Sequence, residues 1–555
     1  MIASRVFNGL LLAGTVLALA GVANAKAPQP PQRPKLVVFI AIDGLPQRQV
    51  LNYQDQLAPD GFNRFLKRGS WFANAHYGHA YTVTAAGHAT MLTGAYPHRT
   101  GIVGNEWRDA QTGAREYCTG DTTATYIGHA TRPLDGTSPK NLKAETVGDV
   151  LRRANPLSKV IAVSGKDRGA ILPAGKTGTA YMYMGSSGQF ASSTYYMQEH
   201  PAWVNAFNAA RPADRYFRSE WTALLPEAAY ARSVADNQPW FGPAGGGLPA
   251  RFSAPEDTEP GPNFYGGLLR GPFGDALTLD FARAALAGEQ LGQDNALDIL
   301  SISLSGHDYV NHAFSAESRL SHDHVLQLDR LLQRFWHDLD AKVGKDQYVV
   351  VLTADHGFMP NVEYSTQQGQ PSGRVDGAQS LANINEGLEK QFGPGKWLLG
   401  NSGSALLLDK QLLASKGQNA DAVADAARTL LLAEPGFAAA YTRAELLSSS
   451  RASEPLFNPM RKSWHADVSG DVQYALKPNW MYAGRAVATH GSPYAYDTHV
   501  PILVYGPAWI GQGRVDQRVE VVDIAPTLAA LLGIDAPAAS EGKRLPLVKA
   551  LHKAH

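Results

Sequence analysis

The chain has one cysteine, Cys118, in 555 residues, so no internal disulfide braces it and its stability must come from a large core or from bound metal. It also lacks a charge excess, since 50 Lys and Arg balance 50 Asp and Glu. That balance excludes a nucleic-acid or membrane partner held by bulk electrostatics. No internal repeat is found, and beyond the N-terminus no apolar run is long enough to cross a bilayer.

What is present begins with "MIASRVFNGLLLAGTVLALAGVANA": a lone Arg5, an apolar run and the small-residue pattern Ala23-Asn24-Ala25. This is a secretory signal with cleavage expected after Ala25, which places the mature protein in the periplasm or outside the cell. Its removal leaves 49 basic residues (50 less Arg5) against 50 acidic ones. The following "KAPQPPQRPK" is too proline-rich to be more than a tether. Residues 26–555 suffice for one large α/β domain with insertions, or for two or three domains.

Five short apolar runs read as buried parallel strands: 35–43, 159–164, 297–305, 348–355 and 500–506. Helical patterns lie between them, notably at 141–154 and 318–343. The expectation is an α/β fold, a mostly parallel central sheet with helices on both faces. Residues of about 180–275 and about 360–485 break the alternation, as insertions expected to rise above the sheet and shape a pocket.

The strand ends carry the chemistry. Asp43-Gly44 follows the first, Lys166-Asp167-Arg168 the second, His307-Asp308 the third and Asp355-His356-Gly357 the fourth. Ligands of open α/β sheets bind at the carboxyl ends of strands, so these groups share one crevice. Taken singly, each has an ordinary reading: an Asp-Gly turn at Asp43, a surface pair at Lys166 and Arg168. Asp308 and His312 stand four apart, on one helix face, as two ligands of one ion require. His307 points elsewhere if they are the pair, and Gly357 permits the sharp turn that turns Asp355 and His356 to one cation. His490 is the ligand candidate from "ATHGSPYAYDTHVP", with Asp497 and His499 as supporting groups. Three aspartates and three histidines suit zinc and are enough for two sites of three protein ligands. In "YTVTAAGHATMLTG", Thr84 reads either as a helix cap or as a hydroxyl placed where helix N–H groups favour an arriving phosphate.

The ordered series "IAIDGL", "TAAGHATMLTG", "TGIVGNEW", "SGKDRGAIL", "SLSGHDYVNH", "TADHG", "THGSPYAYDTHVP" and "VEVVDIAPTLAALLGI" resembles the alkaline phosphatase superfamily, most closely its phosphate-irrepressible bacterial phosphatases with a threonine nucleophile. The resemblance runs through most of residues 26–555, here expected to be a single discontinuous catalytic domain, and is faint in the insertions. It implies Thr84 as nucleophile on a zinc also held by Asp43, Asp355 and His356. It implies a second zinc on Asp308, His312 and His490, and phosphoryl contacts from Asn105, Lys166 and Arg168. His88 lies in the nucleophile motif and reads as structural. The implied activity is hydrolysis of phosphate monoesters through a phosphothreonine, by a monomer with two Zn2+ ions, small-molecule substrates and neither a nucleic-acid nor a stable membrane partner.

Diesterase relatives typically lack the basic pair, so the rival is a phosphodiesterase or phosphonate monoester hydrolase on the same metal core. A sulfatase is disfavoured because its Cys- or Ser-x-Pro-x-Arg motif is missing. An exported metal-binding scaffold without turnover is disfavoured by the retention of every implied ligand.

Overall fold

Seven apolar residues, Leu36–Ile42, all buried, form the middle strand of a nine-stranded sheet. Parallel neighbours flank it: Asp298–Leu304 on one side and Tyr348–Thr353 on the other. Val160–Ser164 and Thr179–Met184 extend the parallel array beyond Asp298–Leu304. Both faces of these strands are covered, which is why they read as continuous apolar runs rather than as alternating ones. This computed structural model describes residues 33–241 and 246–549, so the expected signal sequence, residues 1–25, lies outside the described residues.

The register decides where the site forms. Ile42 pairs with Leu304 and Ala41 with Thr353, so Asp43, the Ser305-Gly306 turn and Asp355 emerge together at one edge. The run at 500–506 departs from expectation: Ile502–Tyr505 lies antiparallel to Tyr348–Thr353. An apolar run reports burial on two faces and not direction. Because the loop that carries His490 is already at the carboxyl edge, the strand after it has to run back.

Helix starts follow their caps. The pattern at 141–154 becomes a helix only at Val147–Ala154, where Thr146 and Asp149 form a capping box that fixes the first turn. The long helix Arg319–Lys342 begins after Ser318, whose hydroxyl accepts the Ser321 N–H.

The two insertions differ from each other. Within about 180–275, Thr179–Met184 and Gln189–Ala191 belong to the main sheet, and Trp221 is buried against Val310 and Leu320 beside helix Gly306–Phe314. Residues 362–482 build a module with its own four-stranded antiparallel sheet: Leu398–Ser402, Ala405–Leu408, Val472–Leu476 and Phe437–Thr442. Helices Gly377–Phe392 and Ala420–Ala433 back it around a separate apolar cluster that includes Trp397 and Leu431. Its edge reaches the catalytic side where Ser402 Oγ accepts the Arg108 N–H at 2.9 Å.

Candidate active site

Asp43 leaves the middle strand with its N–H on Leu304 O, and Gly44 turns the chain at φ +72, a left-handed conformation that favours glycine. The Gly44 N–H then donates to Asp355 Oδ1 at 2.9 Å, which ties two strand ends together. Asp308 and His312 sit one turn apart on helix Gly306–Phe314, with Nε2 3.4 Å from Asp308 Oδ1. Gly357 serves otherwise than expected, since its φ is not positive. A Cβ there would lie 2.2 Å from Tyr496 O, so the glycine admits the His490 loop against the Asp355-His356 turn.

Three imidazoles share one arrangement. His312, His356 and His490 donate their Nδ1–H to the carbonyls of Ala488, Gly357 and Thr82 at 3.0, 2.9 and 2.9 Å. In the neutral ring each therefore keeps its Nε2 lone pair, the tautomer a metal ligand needs. His356 Nε2 lies 3.5 Å from Asp43 Oδ1 and 3.4 Å from Asp355 Oδ2, and His490 Nε2 lies 3.5 Å from Asp308 Oδ1. These separations are too long for good hydrogen bonds. They match the ~3.3 Å between two donors that each stand ~2.0–2.1 Å from one tetrahedral ion.

Asp43 Oδ1, Asp308 Oδ1, Asp355 Oδ2 and His356 Nε2 are buried with no hydrogen-bond partner. Among the described residues, the groups able to hold an ion are Asp308, His312 and His490, and Asp43, Asp308 and His356. They share Asp308, as neighbouring ions would. The donor set thus fits a pair of cations.

The electrostatics agree. Burial raises the Asp308 carboxyl, but the Lys166 ammonium and the imidazoles of His312, His490 and His356 outweigh it and hold the group well below the usual range. Burial lowers His356, yet Asp355, Asp43 and Asp308 around it push it up to about 9. Three carboxylates thus converge on a buried point beside one ammonium, a field that favours cations.

Thr84 is the first residue of helix Thr84–Thr93, after Val83 in the N-cap position, so Thr84 is not the cap residue and Val83 makes no side-chain cap bond. The helix-cap reading of Thr84 therefore does not hold. Asn105 Oδ1 accepts the Ala85 N–H at 2.9 Å, which leaves the Asn105 amide N–H2 as donors. A Cβ on Gly87 would meet Asp355 O at 2.2 Å, so this glycine brings the helix against the aspartate.

His88, which reads as structural from sequence, is fully buried between the nucleophile helix and two strand ends. Its Nδ1 is 2.9 Å from Thr84 O and 3.3 Å from Asp355 Oδ2, and its Nε2 is 2.8 Å from Ser303 Oγ. Its spacing of four from Thr84 was the available signal, since that puts both on one helix face.

Lys166 Nζ lies between the two sets, 2.6 Å from Asp43 Oδ2 and 2.6 Å from Asp308 Oδ2. Arg168 lies in the first turn of helix Asp167–Ala174, its Nη1 donating to Tyr117 Oη at 3.1 Å while the tyrosine donates to Asp167 Oδ1. Tyr117 was missed from sequence, because nothing local links it to residues 50 positions away. Asp497 accepts from Ser492 N and Oγ, and His499 Nε2 donates to Ala73 O. Both are structural supports, and His307 points away from the ligands.

Residues 37–493 match the family model of type I phosphodiesterases and nucleotide pyrophosphatases. The alkaline phosphatase PafA of Elizabethkingia meningoseptica is 35% identical over 532 residues, covering 95% of this chain and 97% of that protein. The alkaline phosphatase PhoV of Synechococcus elongatus is 34% identical over 530 residues, 93% of each. A crystal structure of wild-type PafA matches with a TM-score of 0.85 at 34% identity, over 92% of this chain and 98% of that one. Among the described residues, no helix is long and apolar enough to cross a membrane.

Proposed function

The chain belongs to the alkaline phosphatase superfamily, within the type I phosphodiesterase and nucleotide pyrophosphatase family, and we propose that it is an exported alkaline phosphatase, a metal-dependent hydrolase of phosphate monoesters. The observation that carries the monoester reading is Lys166, buried at the end of a core strand beside the ligand cluster, with Arg168 two residues on and bonded to Tyr117. A monoester dianion has one more charged oxygen to satisfy than a diester, and a basic pair at this place suits it.

Two Zn2+ ions are the proposed cofactors, one held by Asp43, Thr84, Asp355 and His356, the other by Asp308, His312 and His490. When bound, they supply Lewis acidity, which favours an ionised hydroxyl and charge on the departing oxygen. The residues do the rest. Thr84 Oγ1 attacks phosphorus in line, its proton passing to solvent, while the ester P–O bond breaks and the alcohol leaves. The Asn105 amide N–H2, the Lys166 ammonium and the Arg168 fork hold phosphoryl oxygens during that transfer. Water then attacks the phosphothreonine, inorganic phosphate departs, and Thr84 regains its proton.

Residues 26–555 form one discontinuous catalytic domain in this reading, with 362–482 as its cap, acting as a monomer on small phosphate esters in the periplasm or outside the cell. The family description makes a diesterase the competing reading. Rates on a phenyl phosphate monoester and on the matching diester, with Lys166→Ala and Arg168→Ala beside wild type, separate the two. Each variant is expected to lose about 10^2-fold on the monoester and far less on the diester; equal losses on both substrates, or a wild type faster on the diester, would reject the monoester assignment.

A further inference from the structure

Behind the ligand cluster runs a buried chain of polar side chains that the reaction does not use. It begins at Asp275, whose Oδ1 accepts the Gly306 N–H at 3.0 Å, at the start of the helix that carries Asp308 and His312. Asp275 Oδ2 faces His324 Nε2 at 3.3 Å, an ion-pair contact between two buried atoms with no hydrogen-bond partner. His324 Nδ1 lies 3.1 Å from His307 Nδ1, and His307 Nε2 lies 2.8 Å from Gln49 Oε1. Gln49 Nε2 donates to Ser321 Oγ at 2.7 Å, Ser321 Oγ to Asn311 Oδ1 at 2.6 Å, and Asn311 Nδ2 to Gly44 O at 3.1 Å. Gly44 holds Asp355 through its own N–H and follows Asp43 directly. One chain thus joins the backbone supports of both ligand groups.

The directions of these bonds are fixed by chemistry. Gln49 Nε2 also donates to Ala316 O at 2.9 Å, so its amide cannot be reversed and Oε1 must accept. His307 therefore donates from Nε2. If its Nδ1 is the acceptor, His324 donates from Nδ1, and His324 Nε2 must also carry hydrogen, because a lone pair there would face the Asp275 carboxylate. Two neutral imidazoles have two N–H groups, whereas this arrangement needs three. His324 has a carboxylate partner and His307 has none, which locates the additional proton.

We propose that His324 is held as an imidazolium by Asp275, and that the two are positioning residues that set metal affinity through His307, Gln49, Ser321 and Asn311. The proposal rests on the assignment of Asp43, Asp308 and Asp355 as metal ligands. A buried cation and anion bonded to each other and to the chain are strongly coupled, and replacing one leaves the other unpaired. Loss of the order would loosen the Asp43-Gly44 turn relative to the Asp308 helix. Supporting groups behind metal ligands typically change affinity 10- to 100-fold.

The test is 15N–1H spectroscopy of the full-length zinc-loaded protein labelled on histidine at pH 8, with His324→Gln assigning the signals. Both ring nitrogens of His324 are expected to be protonated, and His307 to carry hydrogen on Nε2 alone. In Asp275→Asn the doubly protonated signature should vanish and the half-saturating zinc concentration rise about 10-fold. Asp329→Asn is the control for burial alone: that carboxylate accepts from the Ala58 and Phe62 N–H groups away from the site, so zinc affinity and the His324 signature should persist.

A lone-pair nitrogen on His324 in the wild type overturns the proposal, as does unchanged zinc affinity in Asp275→Asn. If that variant does not fold, the wild-type spectrum still decides. Should the signature and the zinc shift hold while no phosphothreonine forms in turnover, the proposed phosphatase mechanism fails and this positioning role stands.

Discussion

Two sets of histidines lie back to back in this protein. His312, His356 and His490 each give their Nδ1–H to a main-chain carbonyl and turn Nε2 toward carboxylate oxygens that have no hydrogen-bond partner. His307 and His324, just behind them, are bonded to each other and into the polar chain that ends on Gly44. Both sets are imidazoles, and the second is the more deeply buried, the His312 side chain being 32% exposed, so neither residue type nor depth of burial marks a ligand. What differs is that the backbone orients the first set and leaves a lone pair aimed at anions, whereas the second set is bonded to itself, to Gln49 and against Asp275. A cation completes the first arrangement and would disrupt the second.

The largest expected effect tests whether the first set surrounds a nucleophile at all. Thr84→Ala should lower kcat on an aryl phosphate by about 10^3-fold or more and abolish the phosphate adduct seen by intact mass after rapid acid quench. Retained activity would make the threonine a packing residue and leave the cluster a metal site without covalent chemistry.

Next in size is the contrast between the sets themselves. His490→Ala removes a lone pair aimed at Asp308, and metal analysis after dialysis should fall from two zinc ions per chain to one. His307→Asn should keep both ions and bind them about 10-fold more weakly. Loss of an ion in His307→Asn, or two ions kept in His490→Ala, would break the distinction.

Much of this was legible in the sequence, for identifiable reasons. Asp43, Asp308, Asp355 and His356 could be placed because each follows a strand whose apolar run is unmistakable, and the carboxyl edge of such a sheet is a single place. Asp308 and His312 could be paired because helical spacing is local. Direction was not legible for Ile502–Tyr505, since two-sided burial looks the same either way. The reason for Gly357 was not legible because it lies in the close approach of Tyr496, 139 residues later (496 less 357). The contact of His88 with Asp355 was not legible because the two are far apart in sequence, and the chain from Asp275 to Gly44 was invisible because its members are scattered from position 44 to 324.

A third kind of buried histidine sharpens the comparison. His79 is fully buried, with neither ring nitrogen hydrogen-bonded, and burial, with the nearby Lys462 charge, pushes its pKa down to about 3. The folded state therefore keeps it neutral, while the unfolded chain takes up a proton near pH 6.5. Its share of stability is fully present above that pH and is lost as pH falls toward about 3. At pH 5 the loss amounts to about 2 kcal/mol. His79→Phe, packed between Tyr77 and Tyr96, should remove that part of the acid sensitivity in urea titrations at pH 7.5 and 5. An unchanged difference between the two pH values would mean that His79 finds a partner in solution.

The smallest effect belongs to His499, where a buried-looking histidine of the sequence motif serves neither set. Its Nε2 donates to Ala73 O at 3.0 Å, and its ring stacks on His76 with centroids 4.5 Å apart. His499→Gln keeps a donor for that carbonyl and loses the stack, a contact worth about 1 kcal/mol. Zinc content and kcat on the monoester should stay within about twofold of wild type. A loss of zinc in this variant would show that the segment Ser492–His499 orients His490 more tightly than its backbone bond to Thr82 implies, and the ligand set would then depend on the loop as a whole rather than on one carbonyl per imidazole.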